Sequence, residues 1–165
     1  MIIGNVGGLV GNAASSTIAI SHNTTPFISV YPWSGGFGTK YSNPATLATD
    51  DSYGIGIRTT GTDIAIVHAA SPYITAYPWS SGFGTKYTNP ATLPANVGNG
   101  VAFSPSGADI IVAHNSSPYI SAYPWSSGFG TKYSNPATLP ANNAKSVVFS
   151  PSGADIAVAH GASPY

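Results

Sequence analysis

Four histidines stand 46 residues apart, at His22, His68, His114 and His160. Imidazole is the commonest metal ligand and the side chain that titrates nearest neutrality. Either use needs convergence, because a metal site gathers several ligands at one point. Equal spacing along a repeated chain does the opposite and puts one histidine in each copy, so each is expected to bond to its own turn. Asp63, Asp109 and Asp155 follow Gly-Thr or Gly-Ala at the same interval. A short carboxylate there is expected to accept backbone N–H bonds in the tight turn. Thr17 holds this position in the first copy, so the turn tolerates loss of the charge. Paired carboxylates of a glycosidase must meet across their substrate, and nothing in the spacing brings two together. The chain also lacks a glycine-rich phosphate loop, a nucleophile elbow and a His-Glu zinc motif. No catalytic, metal or cofactor set is expected, and the chain reads as a non-enzyme.

The remaining candidates are groups that bind. Trp33, Trp79 and Trp125 recur with Tyr41, Tyr87 and Tyr133, and with Phe37, Phe83 and Phe129. Aromatic rings bring large apolar area and, in Tyr and Trp, a polar handle, so they can stack on sugars or anchor a protein partner. They serve equally well as core between repeats, which is the plainer reading of the tryptophans; Tyr41, Tyr87 and Tyr133 are expected at the surface. Lys40, Lys86 and Lys132 lie between Thr and Tyr. A lysine there suits the guard of an outer strand edge, or, if it binds, one positive point per repeat.

These groups are positioned by a repeat of 46 residues. Residues 71–96 differ from 117–142 at two positions, Thr75 against Ser121 and Thr88 against Ser134. In the unit 101–146, strands are expected at 101–103, 109–114, 119–125 and, more weakly, 129–133. Turn chemistry separates them, for example Ser104-Pro-Ser-Gly107, where Pro sets φ and Gly allows it to be positive. Ile110 and Val112 point one way while Ile111 and Ala113 point the other, and a sheet apolar on both faces must be sandwiched. Four short strands, two buried faces and a period of roughly 40 to 50 residues predict an all-β, β-propeller-like array of four-stranded antiparallel blades.

The wording Val101-Ala-Phe-Ser-Pro-Ser-Gly107, then Ile110-Ile-Val-Ala113 and Ile120-Ser-Ala-Tyr123, resembles the WD40 and related bacterial YVTN-type propeller repeats over nearly the whole chain. It departs from strict WD40 in having no Gly-His pair before the first strand and Tyr-Pro-Trp where Trp-Asp would end the third. The phrase from Tyr123-Pro-Trp to Ala137-Thr-Leu-Pro140 also resembles repeats of tailed-bacteriophage and environmental viral proteins. That likeness implies a virion component, a tail, fibre or capsid-decoration protein at the surface of a particle assembled in host cytoplasm.

One array of about 3.5 units is expected: 1–8 as an N-terminal edge segment, 9–54, 55–100 and 101–146 as blades, and 147–165 as half a blade. Such an array leaves open strand edges that attract other chains. The partners expected are therefore further copies in a homo-oligomer, other virion proteins, or a host-surface glycan or protein. Five Lys plus Arg balance five Asp, and Glu is absent, so there is no basic patch for nucleic acid or an anionic membrane surface. Residues 1–10 lack a basic stretch and are broken by Gly and Asn, and the repeat is entered from Leu9, so no leader is expected, and no stretch is long enough to insert in a membrane. Without cysteine there are no disulfides or thiolate metal sites. Two other functional classes stand beside this reading. A lactonase-like hydrolase on a propeller scaffold would need converging carboxylates or histidines, and an intracellular WD40-type scaffold would need units that diverge.

Overall fold

The computed structural model describes residues 16–162; the expected edge strand at 1–8 lies outside them. The described residues form ten strands in chain order: β1 (Ser16–Ser21), β2 (Ile28–Trp33), β3 (Ser52–Ile57), β4 (Asp63–His68), β5 (Ile74–Pro78), β6 (Gly98–Phe103), β7 (Asp109–His114), β8 (Ile120–Pro124), β9 (Ala144–Phe149) and β10 (Ile156–His160). All pairs are antiparallel, and they form four small sheets, β1-β2, β3-β4-β5, β6-β7-β8 and β9-β10. Among the described residues there is no helix, and therefore none long and apolar enough to cross a membrane.

Alternation of small and large apolar residues drives the stacking of one sheet on the next. Ala65, Val67, Ile74 and Ala76 on one side of the second sheet meet Val101, Phe103, Ile110, Val112, Tyr123 and Trp125 of the third. The same pattern joins first to second, with Ala19, Ile28 and Val30 against Ile55, Ile64, Ile66, Tyr77 and Trp79. Ile111, Ala113 and Ile120 then meet Ala144 and Val147. Small residues on the leading face leave room for the large ones opposite, which is how interiors reach close packing. Every residue of β4 is buried, as a sheet covered on both sides requires.

The structure differs from the expected four strands per unit. The fourth segment touches the third strand through a single bridge, Trp33 with Phe37, Trp79 with Phe83 and Trp125 with Phe129. Two further bonds follow in the second unit, Gly84 N–H to the Pro78 carbonyl at 2.9 Å and Tyr87 N–H to the Ala76 carbonyl at 2.9 Å. Pro78 has no N–H to return, so a regular ladder cannot continue past it. The second glycine of Gly-Phe-Gly lies flat against that proline: a Cβ on Gly84 would come within 3.0 Å of Pro78 Cβ, and Gly38 on Pro32 and Gly130 on Pro124 repeat the contact.

The first strands also begin earlier than expected, at Ser52, Gly98 and Ala144 and not at Ile55, Val101 and Val147. Gly98-Asn-Gly100 resembles a turn in sequence, yet it is strand, because neighbouring sheets close on it. A Cβ on Gly98 would lie 2.6 Å from Val67 Cβ and from the Tyr73 carbonyl, and one on Gly100 3.0 Å from Ser146 Cα. Gly98→Ala is therefore expected to cost about 1–3 kcal/mol, the usual penalty of overpacking. Gly82→Ala, whose Cβ would meet nothing within 4 Å, should change stability by less than about 0.5 kcal/mol. Urea denaturation of the two variants checks the difference, and equal midpoints would contradict the close approach.

Candidate functional site

The recurring aromatic and lysine candidates gather where the fourth segment of one unit leans on the next. Trp79 and Trp125 are buried, with 6% and 3% of their surface exposed, while Trp33 keeps 37%. Two rings recur at each buried indole, and Trp125 has Phe103 as a third at 5.1 Å. Phe83 meets Trp79 edge-on at 5.0 Å and Phe129 meets Trp125 at 4.9 Å, from within the same unit. The second ring comes from the preceding unit, Tyr41 on Trp79 at 5.0 Å and Tyr87 on Trp125 at 5.2 Å. Edge-to-face pairs of this kind are worth about 0.5–1.5 kcal/mol beyond area burial. Trp33 has Phe37 at 5.2 Å. The burial of Trp79 and Trp125 removes them from direct contact with a partner, because they close the seams between units; Trp33 alone of the three has surface to offer.

The tyrosines expected at the surface divide. Tyr41 and Tyr87 are half-buried over the next unit's tryptophan, and Tyr133 is 48% exposed. Lys86 donates to Asn89 Oδ1 at 2.5 Å, and Lys40 with Asn43 and Lys132 with Asn135 repeat the bond. Each lysine thus closes the loop before the Asn-Pro step and does not lie along a fourth strand. Around it stand exposed Ser, Thr and Asn: Ser80, Ser81, Thr85, Thr88 and Asn89 in the second unit.

The histidines and aspartates are held by bonds that the turn argument foresaw only in part. His68 Nδ1 donates to the Ala70 carbonyl at 2.8 Å, in its own turn. Its Nε2 then accepts from Thr75 at 3.0 Å, and His114 makes the matching contact with Ser121 at 3.1 Å. Burial lowers both imidazoles from their ordinary value. The aspartates do not cap turn amides as expected. A serine does so, with Asp109 N–H donating to Ser104 Oγ at 3.1 Å. The carboxylates instead receive tyrosine hydroxyls, Tyr87 to Asp63 at 2.7 Å and Tyr133 to Asp109 at 2.8 Å. Burial, followed by the Asp63 bond, pushes the Tyr87 hydroxyl up to about 12. In the second unit Arg58 stands where Ser104 stands in the third. It pairs with Asp63 at 3.1 Å and reaches the Gly107 carbonyl of the next unit at 2.9 Å. This clamp was missed in sequence, although aligning the units sets Arg58 five residues before Asp63.

A second set of ties runs backward between units. The Tyr77 hydroxyl donates to the Thr46 carbonyl at 2.6 Å and Tyr123 to that of Thr92 at 2.8 Å. Beyond the third unit one cavity of about 220 Å³ is lined by Ile111, Ile120, Ala122, Tyr133, Pro136 and Ile156, among others. Among the described residues no three His, Cys, Asp or Glu side chains gather to hold a metal ion.

No known protein family matches the chain, and no curated protein does so. Among solved structures, the hydrazine synthase of Kuenenia stuttgartiensis superposes over 96% of this chain with a TM-score of 0.67 at 10% identity. The chain spans about half of that larger one, 47% of its length. At such identity the likeness is one of fold.

Trp125→Ala should cost about 3–5 kcal/mol, as for other buried tryptophans, and Trp33→Ala, at a chain concentration low enough to keep copies apart, less than about 1 kcal/mol. Thermal melts would show one large shift and one small, and comparable losses would contradict the assignment of seam and surface. The buried histidines make the fold acid-sensitive. Their proton binds more readily to the unfolded chain, so their contribution is complete above about pH 6.5 and is lost as pH falls from there toward the lowered folded value. The urea midpoint should hold from about pH 8 to 7 and drop between about 6.5 and 5; a midpoint that rises over the lower interval would contradict it.

Proposed function

We propose that the chain is a non-enzymatic, β-propeller-like structural and binding module that offers the same rim patch once per unit. The carrying observation is that Lys40, Lys86 and Lys132 hold three like loops in one conformation, each with hydroxyl and amide groups toward solvent. Four side chains suited to acid-base chemistry are engaged by neighbouring hydroxyls: His68 and His114 with Thr75 and Ser121, Asp63 and Asp109 with Tyr87 and Tyr133. Rigid copies of a weak site gain avidity without new contacts, because the second binding event is intramolecular. Hydroxyl-rich, nearly uncharged loops suit neutral glycans, whose own hydroxyls they can pair with. A virion surface is the setting that the repeat wording supports.

The test is binding to a neutral-glycan array. Lys40→Ala, Lys86→Ala and Lys132→Ala singly should weaken retention in part, and all three together by more than about a hundredfold, as loss of avidity implies, with circular dichroism unchanged. Absence of glycan retention, or full loss on one substitution, would contradict the proposal.

A further inference from the structure

Each seam inside the chain is built from the same parts. The tyrosine of one fourth segment covers the next tryptophan. A hydroxyl from the next third strand bonds back to a threonine carbonyl. That third strand also pairs with the second strand of its own sheet, Ile64 opposite Tyr77 and Ile110 opposite Tyr123. At the far end of the described chain the receiving half of this seam stands ready. Tyr133 is exposed, and Ile156 in β10 is 44% exposed. The cavity between them lies against Ile111, Ile120 and Ala122. In the preceding unit the matching residues, Ala65, Ile74 and Ala76, are covered by the cluster that contains Trp125. At about 220 Å³ the cavity is below the ~300–1,000 Å³ of small-molecule pockets and suits one large side chain.

The inserting half stands at the other end. Trp33 at the end of β2 and Phe37 in the segment after it are the exposed rings there, at 37% and 63%, and β1, the partner of β2, has only Ala19 buried. Residues 18–22 of β1 and its surroundings read Ile-Ala-Ile-Ser-His, and residues 156–160 read Ile-Ala-Val-Ala-His. A strand that pairs with the first finds nearly the same edge on the second.

We infer that β2 of a second copy adds to the edge of β10 that is unpaired among the described residues, seating its Trp33 in the cavity over Tyr133. The register follows from β1: Ile18 faces Tyr31 and Ile20 faces Ser29, so Ile156 faces the incoming Tyr31 and Val158 the incoming Ser29. The Tyr31 hydroxyl then reaches the Thr138 carbonyl, the counterpart of Thr46 and Thr92. Ala157 takes the place of Ala19 against the incoming copy's second sheet. Strand addition of this kind draws affinity from the main chain and specificity from side-chain sockets. β1 gives up its pairing, and two two-stranded sheets become one of three strands with a filled seam. Exchanged reciprocally, two copies close on each other through two intact sheets from each and two shared ones. The inference rests on the stacked-sheet part of the proposed function and is independent of the ligand.

The chain has no cysteine, so one engineered pair reports the contact. Ser29→Cys with Val158→Cys, oxidised at micromolar concentration, should give a covalent two-copy species on a non-reducing gel, and neither single variant should. In parallel, the parent should sediment at twice the chain mass, and Trp33→Ser at the single mass with its circular dichroism kept. A parent at single mass, or a double variant that folds and stays monomeric, overturns the exchange. Should that monomer still bind glycans through its three rims, the proposed function stands and the exchange alone falls.

Discussion

A small sheet that is apolar on both sides can satisfy itself only by lying between two others like it. That constraint organises the molecule. The central sheets carry their alanines on one side, among valine and isoleucine, and their tyrosine and tryptophan on the other, so each is complementary to its neighbour and not to itself. Stacking then propagates along the chain, and stability in such arrays is held in the seams as much as in the units. The glycines of the first strands let backbones approach where those strands stack, and the Tyr-on-Trp contacts fasten the rim.

Polar groups are drawn into the same work. Tyr87 and Tyr133 tie fourth segments to the second strands through Asp63 and Asp109, while Tyr77 and Tyr123 tie third strands to the preceding crossing. Hydroxyls bonded in this way offset the desolvation that their burial costs. Lys and Asn fix the loops outside. What faces solvent is therefore a set of like, weakly charged surfaces repeated from unit to unit.

Much of this was legible in the sequence. The period, the all-β class and the strand at Asp109–His114 follow from repetition and from apolar residues on both faces. The fourth strand was not legible, because its reduction to a bridge depends on Pro78 lying in the partner strand and lacking an N–H. Gly98-Asn-Gly100 was hidden for a related reason: glycine marks a turn locally, and only the approach of Val67 and Ser146 makes it a requirement of strand packing. The rim was half legible. Aromatic recurrence pointed to Trp33, Trp79 and Trp125, but identical residues at identical spacing differ in exposure according to which neighbour lies beside them. The Asp-Tyr bonds span 24 residues and answer to no local motif.

The dependence of each sheet on its neighbours is open to direct measurement. Residues 52–97, the second unit alone, hold three strands whose two faces are both covered in the chain by adjoining units. As an isolated peptide this stretch should show the proton NMR dispersion of an unfolded chain at all temperatures, while the full chain melts cooperatively. A cooperative transition and a dispersed spectrum from the peptide as a monomer would contradict the account, because the sheet would then need no flanking copies.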